Sequence, residues 1–384
     1  MIRQNLGTKI MKPILRMLLL IGLPMAVQAQ VYTYSTNADN TITITNCTGC
    51  DGNVTIPDTI NDLTVTSIGD SAFESSYGLT GVTIPDTVTS IGNWAFDNCS
   101  YLTNVTIPES VTNIGIEAFD DCESLNSISI PNSVTSIGSY AFESCYRLTS
   151  ITVGNGVTSI QVGMFYDCGR ITNIMIGSSV TSIGAVAFGY SGLTSITIPN
   201  SVTNIGNGAF EYCGGLTNVT IPDSVSNIGS SAFISCGRLT NITIGNGVTN
   251  IGNSAFADCG ELIGLYFRGN APSIGLVLFE RDHNPTAYYL PGTTGWANFS
   301  TESGLQTVLW NPQAQTCGGS FGAQTNQFGF NINWASGQTV VVEASTNLVD
   351  WQPVQTNMLT TGSSYYSDPQ WTNYPGRYYR LRSP

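Results

Sequence analysis

Phenylalanine recurs in one register along most of this chain. Phe73, Phe96, Phe119, Phe142, Phe165 and Phe188 stand 23 residues apart, Phe210 follows after 22, and Phe233, Phe256 and Phe279 return to 23. Self-similarity at a fixed period of this length means stacked units, each one coil of a solenoid. Within the unit that starts at Leu102, Val105 and Ile107 alternate with polar residues at strand spacing. Pro108 ends that strand, because it has no N–H to give to a ladder. Val111 and Ile114 mark a second, shorter extended piece, and Gly115 permits a corner. Ala118, Phe119 and Cys122 predict a compact turn, one turn of 3₁₀ or α-helix. About eight apolar side chains per unit face inward. That is too little to offset the ordering of one isolated coil, so the coils must share faces and strand hydrogen bonds.

The repeat pattern AFxxCxxLTxITIPxSVTxIG resembles the BspA-like leucine-rich repeats of secreted and surface bacterial proteins, from about Val65 to Phe279. It departs from the general leucine-rich pattern, which sets Asn or Cys eight residues after the first Leu. Thr87, Ser110 and Ser133 occupy that place here. The resemblance implies a right-handed solenoid with a parallel sheet on one face and a role in surface adhesion or partner binding. It brings no catalytic residues.

The rest of the chain is arranged around this stack. Residues 1–29 read as a signal peptide. Arg3, Lys9, Lys12 and Arg16 precede an apolar run from Met17 to Val27, and Val27-Gln28-Ala29 fits a cleavage site, with Met1 or Met11 as the start. The run is too short for a membrane span. Residues 30–64, rich in Thr, Ile and Tyr, form a β-rich cap over the open end of the solenoid at 65–279. Residues 280–310 include YYLPGTTGW, which resembles the closing segment of the same repeat family. Residues 311–320 read as a linker. From 321 to 384, alternating aromatic and β-branched residues between Gly, Asn and Pro turns predict a small β-sandwich. It weakly resembles modules of large secreted bacterial proteins. The fold class is thus mainly β with short helical turns. The middle of the stack is irregular: Gln161-Val162-Gly163-Met164 replaces the usual approach to Phe165, and the loop after Phe188 is one residue short.

Without its leader the chain carries eight arginines, no lysine and 25 acids, a net charge of −17. Nucleic acid and anionic membranes need basic surface and are poor partners for it. The expected molecule is a secreted or cell-surface monomer with no transmembrane span in its mature form. Cys99, Cys122, Cys145, Cys168, Cys213, Cys236 and Cys259 all follow the repeat Phe by three. Ser76 and Ser191 fill the same slot in other coils, which points to a ladder of buried free thiols rather than bridges. Cys47 and Cys50 are candidate partners for a disulfide that staples the first coil. Cys317 has no partner legible in sequence.

Little suggests chemistry. The one histidine, His283 beside Asp282, has no nucleophile elbow to serve, and neither a phosphate loop nor zinc-ligand spacing is present. No cofactor or metal is expected. The acids behind the repeat Phe, among them Asp97, Asp120, Asp121 and Glu143, form a single-file ridge, whereas calcium needs six or more converging oxygens. Threonine columns on the sheet face, broken by Met175 and Tyr266, suit a pleated surface. The loops before each strand carry Tyr and Arg, the residues of interface hot spots. Tyr146, Arg147, Tyr166, Arg170, Tyr190 and Tyr212 are the candidate ligand-binding residues, and the period sets Arg147 beside Arg170. The expected function is non-catalytic adhesion to, or recognition of, an extracellular protein or glycan. A self-associating matrix protein and a secreted enzyme are the alternatives.

Overall fold

The computed structural model describes residues 30–316, 321–324 and 327–384. The leader at 1–29 and Cys317 lie outside the described residues. Each coil has three sides. In one coil, the strand Ser127–Ile130 alternates exposed and buried residues, and Val134 N–H closes a turn onto the carbonyl of Pro131. The strand Ser136–Ile137 follows, and then a turn segment carries Ala141, Phe142 and Cys145 inward. Long strands stack in parallel and in register, Ser127 against Ser150 and Ile128 against Ile151, and short strands likewise, Ser136 against Asn113. The inward side chains of every coil join one core running the length of the stack.

Gly115 serves close approach rather than a special backbone angle. A Cβ there would lie 2.4 Å from the backbone nitrogen of Asn93 in the coil before. At the slot where the general pattern has Asn or Cys, Ser110 Oγ donates to the Val88 carbonyl at 2.6 Å, and Ser201 and Ser224 repeat this bond.

The third side differs from the expected helical turn. It is a run of overlapping tight turns, with a left-handed residue at every fourth position, as at Glu117 (φ 52°) and Asp121 (φ 49°). This geometry turns alternate N–H groups toward the next coil. Phe119 N–H bonds the Ala141 carbonyl at 2.9 Å, and Phe142 N–H bonds that of Met164 at 3.1 Å. The ten phenylalanine rings stack in one column, with centroids between 4.9 and 5.9 Å apart.

The irregular middle interrupts the sheets. The long-strand ladder runs from Gly52–Thr55 to Ser150–Val153 and resumes at Asn218–Ile221. In the two coils between, around Ile174 and Ile196, the bridge of Thr152 with Met175 and the bond of Thr194 N–H to the Thr172 carbonyl at 3.0 Å are what continue it among the described residues. The short-strand ladder breaks one step earlier, between Ser136–Ile137 and Ser159–Ile160. The phenylalanine column and its turn bonds pass through unbroken, Phe165 to Ala187 and Phe188 to Ala209 at 2.9 Å each.

At the N-terminal end, Val31–Thr36 pairs antiparallel with Ile42–Thr48, which joins the short-strand ladder through Leu63–Ile68. Cys47 and Cys50 are joined by a disulfide. At the other end Thr286–Tyr289 and Thr307–Leu309 extend the long-strand sheet, and the helix Trp296–Ser303 buries Trp296 and Phe299 against the last coils.

Residues 327 to 384 form two antiparallel sheets. Gln327–Asn333 pairs with Ser363–Asp368 along one edge, and Gln338–Ser345 lies between Gln352–Leu359 and Tyr378–Arg382. Phe330, Ile332 and Tyr366 pack against Val340, Val342 and Leu359 between them. The linker assigned to 311–320 needs correction. Gln313–Gln315 adds a strand to this module, pairing with Asn331 to Asn333, because its backbone meets an open strand edge there. The module rests on the solenoid through Leu290 and Trp310, whose carbonyl accepts from Trp334 Nε1 at 2.8 Å.

Candidate functional site

The positions four and five residues after each repeat Phe form a rim beside the turn ladder. In the first five coils this rim carries Tyr77, Ser100, Tyr101, Glu123, Ser124, Tyr146, Arg147 and Arg170, and together they line one groove of about 560 Å³. Small residues create its hollow, since Ser100 and Ser124 stand between large ones. Tyr77, Tyr101 and Tyr146 are 54, 61 and 41% exposed, so their rings are available to a ligand. Asn98 Nδ2 donates to the Tyr77 hydroxyl at 2.9 Å and holds that ring in place. Further along, glycine takes many of these positions, at Gly192, Gly214, Gly215, Gly237 and Gly260, with Arg238 and Glu261 as the charged residues there.

Of the six candidate residues, the groove gathers Tyr146, Arg147 and Arg170. The other three lie elsewhere, one or two residues after the repeat Phe, where most coils carry acids. There Tyr166 meets Tyr190 edge-on at 5.4 Å, and Tyr190 stacks on Tyr212 at 4.4 Å. Burial raises the Tyr166 hydroxyl above its ordinary pKa, and the charge of Glu211 adds to it. The chain therefore presents two aromatic patches, a basic groove and a stack on the acidic ridge. Tyr77 and Tyr101 belong to the groove, and their places four residues after Phe73 and five after Phe96, the same as those of Tyr146 and Arg147 after Phe142, were a signal for this. Nothing in the period singled out Glu123.

The charge state of the groove is unusual for this chain. Of the eight arginines among the described residues, five make ion pairs: Arg268 with Asp223, Arg281 with Asp258, Arg377 with Asp368, and Arg380 and Arg382 with Glu343. The side chains of Arg147, Arg170 and Arg238 make neither an ion pair nor a hydrogen bond among the described residues. Two of these three face the groove.

The ridge alongside is strained electrostatically. Carboxylate oxygens of Asp97, Asp120 and Asp121 come within 4.8 Å of one another. Burial, with the charges of Glu74 and Asp121, pushes Asp97 up to about 6. Burial, with the charges of Glu143 and Asp121, pushes Asp120 up to about 7. Three oxygens fall short of the six or more a calcium ion takes. The repeat thiols are buried and free, and each Sγ donates to the carbonyl of the Phe 25 or 26 residues earlier, as Cys122 does to Phe96 at 3.3 Å. Ser191 fits the same slot and bonds Cys213 at 3.2 Å. His283 Nδ1 faces the carbonyl of Gly260 in the coil before, so the ring is oriented by backbone and not by Asp282.

The BspA type leucine rich repeat region matches this chain in six copies, over residues 66–193 and 181–294. A leucine rich cell surface protein from Faecalibacterium prausnitzii A2-165 is 31% identical, with a TM-score of 0.44 over 72% of this chain and 92% of that one. A leucine-rich repeat protein from Bacteroides ovatus ATCC 8483 is 25% identical, with a TM-score of 0.32 over 72% of this chain and 98% of that one. A third, from Bacteroides capillosus ATCC 29799, is 34% identical over 31% of this chain and 91% of that one, with a TM-score of 0.29. No curated protein matches. With the repeat matched over more than half of its length, the chain belongs to the BspA type leucine-rich repeat family.

Proposed function

We propose that this is an exported, non-catalytic recognition protein that holds an extracellular protein or glycan on the rim of its solenoid. One observation carries the reading: in a chain with 25 acids, Arg147 and Arg170 stay unpaired and line a groove with three exposed tyrosines. Recognition surfaces concentrate on loops held by a rigid scaffold, and Tyr and Arg dominate their energetics. Family membership supports a surface or secreted setting and a role without catalysis. The acidic balance disfavours nucleic acid as the partner. The test is a combined glycan and protein array probed with the natural chain and with the double variant Arg147→Ala, Arg170→Ala. The reading expects a ligand whose signal falls at least tenfold in the double variant, and a ligand bound equally by both would overturn it.

A second reading, self-association in a surface matrix, draws on the last coil. Leu276 and Val277 are 77 and 58% exposed, and the N–H groups of Val277, Phe279 and Arg281 make no hydrogen bond among the described residues. In the coil before, Ser254, Phe256 and Asp258 pass their bonds onward to Leu276, Leu278 and Glu280. Light scattering across concentration separates the readings: a constant monomer mass removes the matrix role.

A further inference from the structure

We infer that the rim groove takes a linear glycan bearing carboxylates, of the uronate type; this deepens the recognition reading and rests on it. The groove runs along the stack, because its lining comes from five successive coils. These coils advance by 4.9 to 5.7 Å per step, measured on the rings of Phe73 to Phe165. A step of that size is comparable to one sugar of an extended chain, so successive sugars meet successive coils in register. Exposed tyrosine faces suit the C–H faces of sugars, and Tyr77 and Tyr101 at one end with Tyr146 toward the other leave the low Ser100 and Ser124 floor between them. At the Tyr146 end, Arg147 and Arg170 present two guanidinium groups without a protein partner, and a guanidinium binds carboxylate in bidentate fashion.

Glu123 decides between acidic ligands. It lines the same groove and pairs with neither arginine. A peptide with a carboxylate at most positions would set charge against Glu123 and the ridge beside it. A uronate chain carries hydroxyl groups beside each carboxylate, and the Glu123 carboxylate can accept from these hydroxyl groups. Beyond Arg170 the rim falls to Gly192, in the coil whose loop is one residue short, so the basic end is open and a longer chain can run on.

Titration calorimetry with tetragalacturonate, its methyl ester and polyglutamate tests this. The free acid should bind, the ester and polyglutamate at least tenfold more weakly. Arg147→Gln with Arg170→Gln should weaken the acid at least tenfold, Tyr101→Ala should weaken acid and ester alike, and Tyr212→Ala on the ridge should change neither. No binding of the acid, equal binding of its ester, or tighter binding of polyglutamate overturns the uronate assignment. If the array yields a neutral glycan or a protein that still requires Arg147 and Arg170, the uronate assignment falls while the recognition reading stands. Circular dichroism of each variant, with an unchanged melting profile, ties any loss to the groove and not to the fold.

Discussion

The ring of Tyr190 lies 4.4 Å from that of Tyr212 and 14° from parallel to it, although 22 residues separate them. The spacing of 22 comes from the coil whose loop is short, and both residues still stand two places after their repeat Phe. The deletion falls on the rim side of the turn and leaves the ridge columns aligned. Stacked pairs of this kind contribute roughly 0.5–1.5 kcal/mol beyond their burial. A double-mutant cycle of Tyr190→Ala and Tyr212→Ala, read by denaturant unfolding, should give a coupling of about 1 kcal/mol. A coupling near zero would mean that the two rings do not act as a pair.

With the long-strand sheet interrupted, the middle of the stack is held by the phenylalanine column with its turn bonds and by the short-strand ladder. Phe188→Ala removes a fully buried ring from the column and should cost about 3–5 kcal/mol. Its effect should concentrate in the coils of Ile174 and Ile196, where the long-strand pairing is missing. Amide exchange in these two coils should already be faster in the natural protein than around Ile128, and the variant should widen the gap. Uniform exchange along the solenoid would contradict this.

The seven repeat thiols should stay reduced in the native protein. Burial pushes Cys99, Cys213 and Cys259 up to about 12, far from the thiolate that exchange needs. Each also has a carbonyl to donate to. Native protein should resist thiol reagents, and denatured protein should take label at all seven while Cys47 and Cys50 take none. A native bridge between Cys122 and Cys145, seen by peptide mapping, would end this expectation.

The two parts of the molecule should respond to acid with opposite sign. Asp120 sits at about 7 in the fold against an ordinary 3.8, so the folded state favours its protonated form. The resulting penalty is full above about pH 7 and gone below about pH 4, and the solenoid should gain stability as pH falls through that window. Asp120→Asn should raise solenoid stability at pH 8 by about 1–2 kcal/mol, a figure discounted because the carboxylate is half-exposed. It should leave pH 4 unchanged. In the C-terminal module the sign reverses. Hydrogen bonds from Arg382 and Arg380 hold Glu343 below the usual carboxylate range. Its contribution is present above the ordinary glutamate pKa and is lost as pH falls below it. Melting curves at pH 4 and pH 8, resolved for each part by tryptophan and far-ultraviolet signals, check both signs.

The sequence by itself determined the repeating unit, because a buried residue recurs at a constant interval. The column of Phe119 and Phe142, the slot shared by Cys213 and Ser191, and the strand at Val105 and Ile107 all follow from that interval. The irregular passage at Gln161 to Met164 and the short loop after Phe188 were also visible as departures from it. What only the tertiary structure decided is how columns sit beside one another. Tyr146 and Tyr166 come from adjacent coils, yet one belongs to the groove and the other to the ridge, because the tight turns separate positions three places apart onto different sides. The unpaired state of Arg147 and Arg170 was equally hidden, since pairing depends on which acids the neighbouring coils bring within reach. The strand at Gln313–Gln315 looked like a linker because its pairing partner lies in a sheet formed by residues further along the chain. A period assigns each residue to its column, and contact between columns is a property of the folded stack.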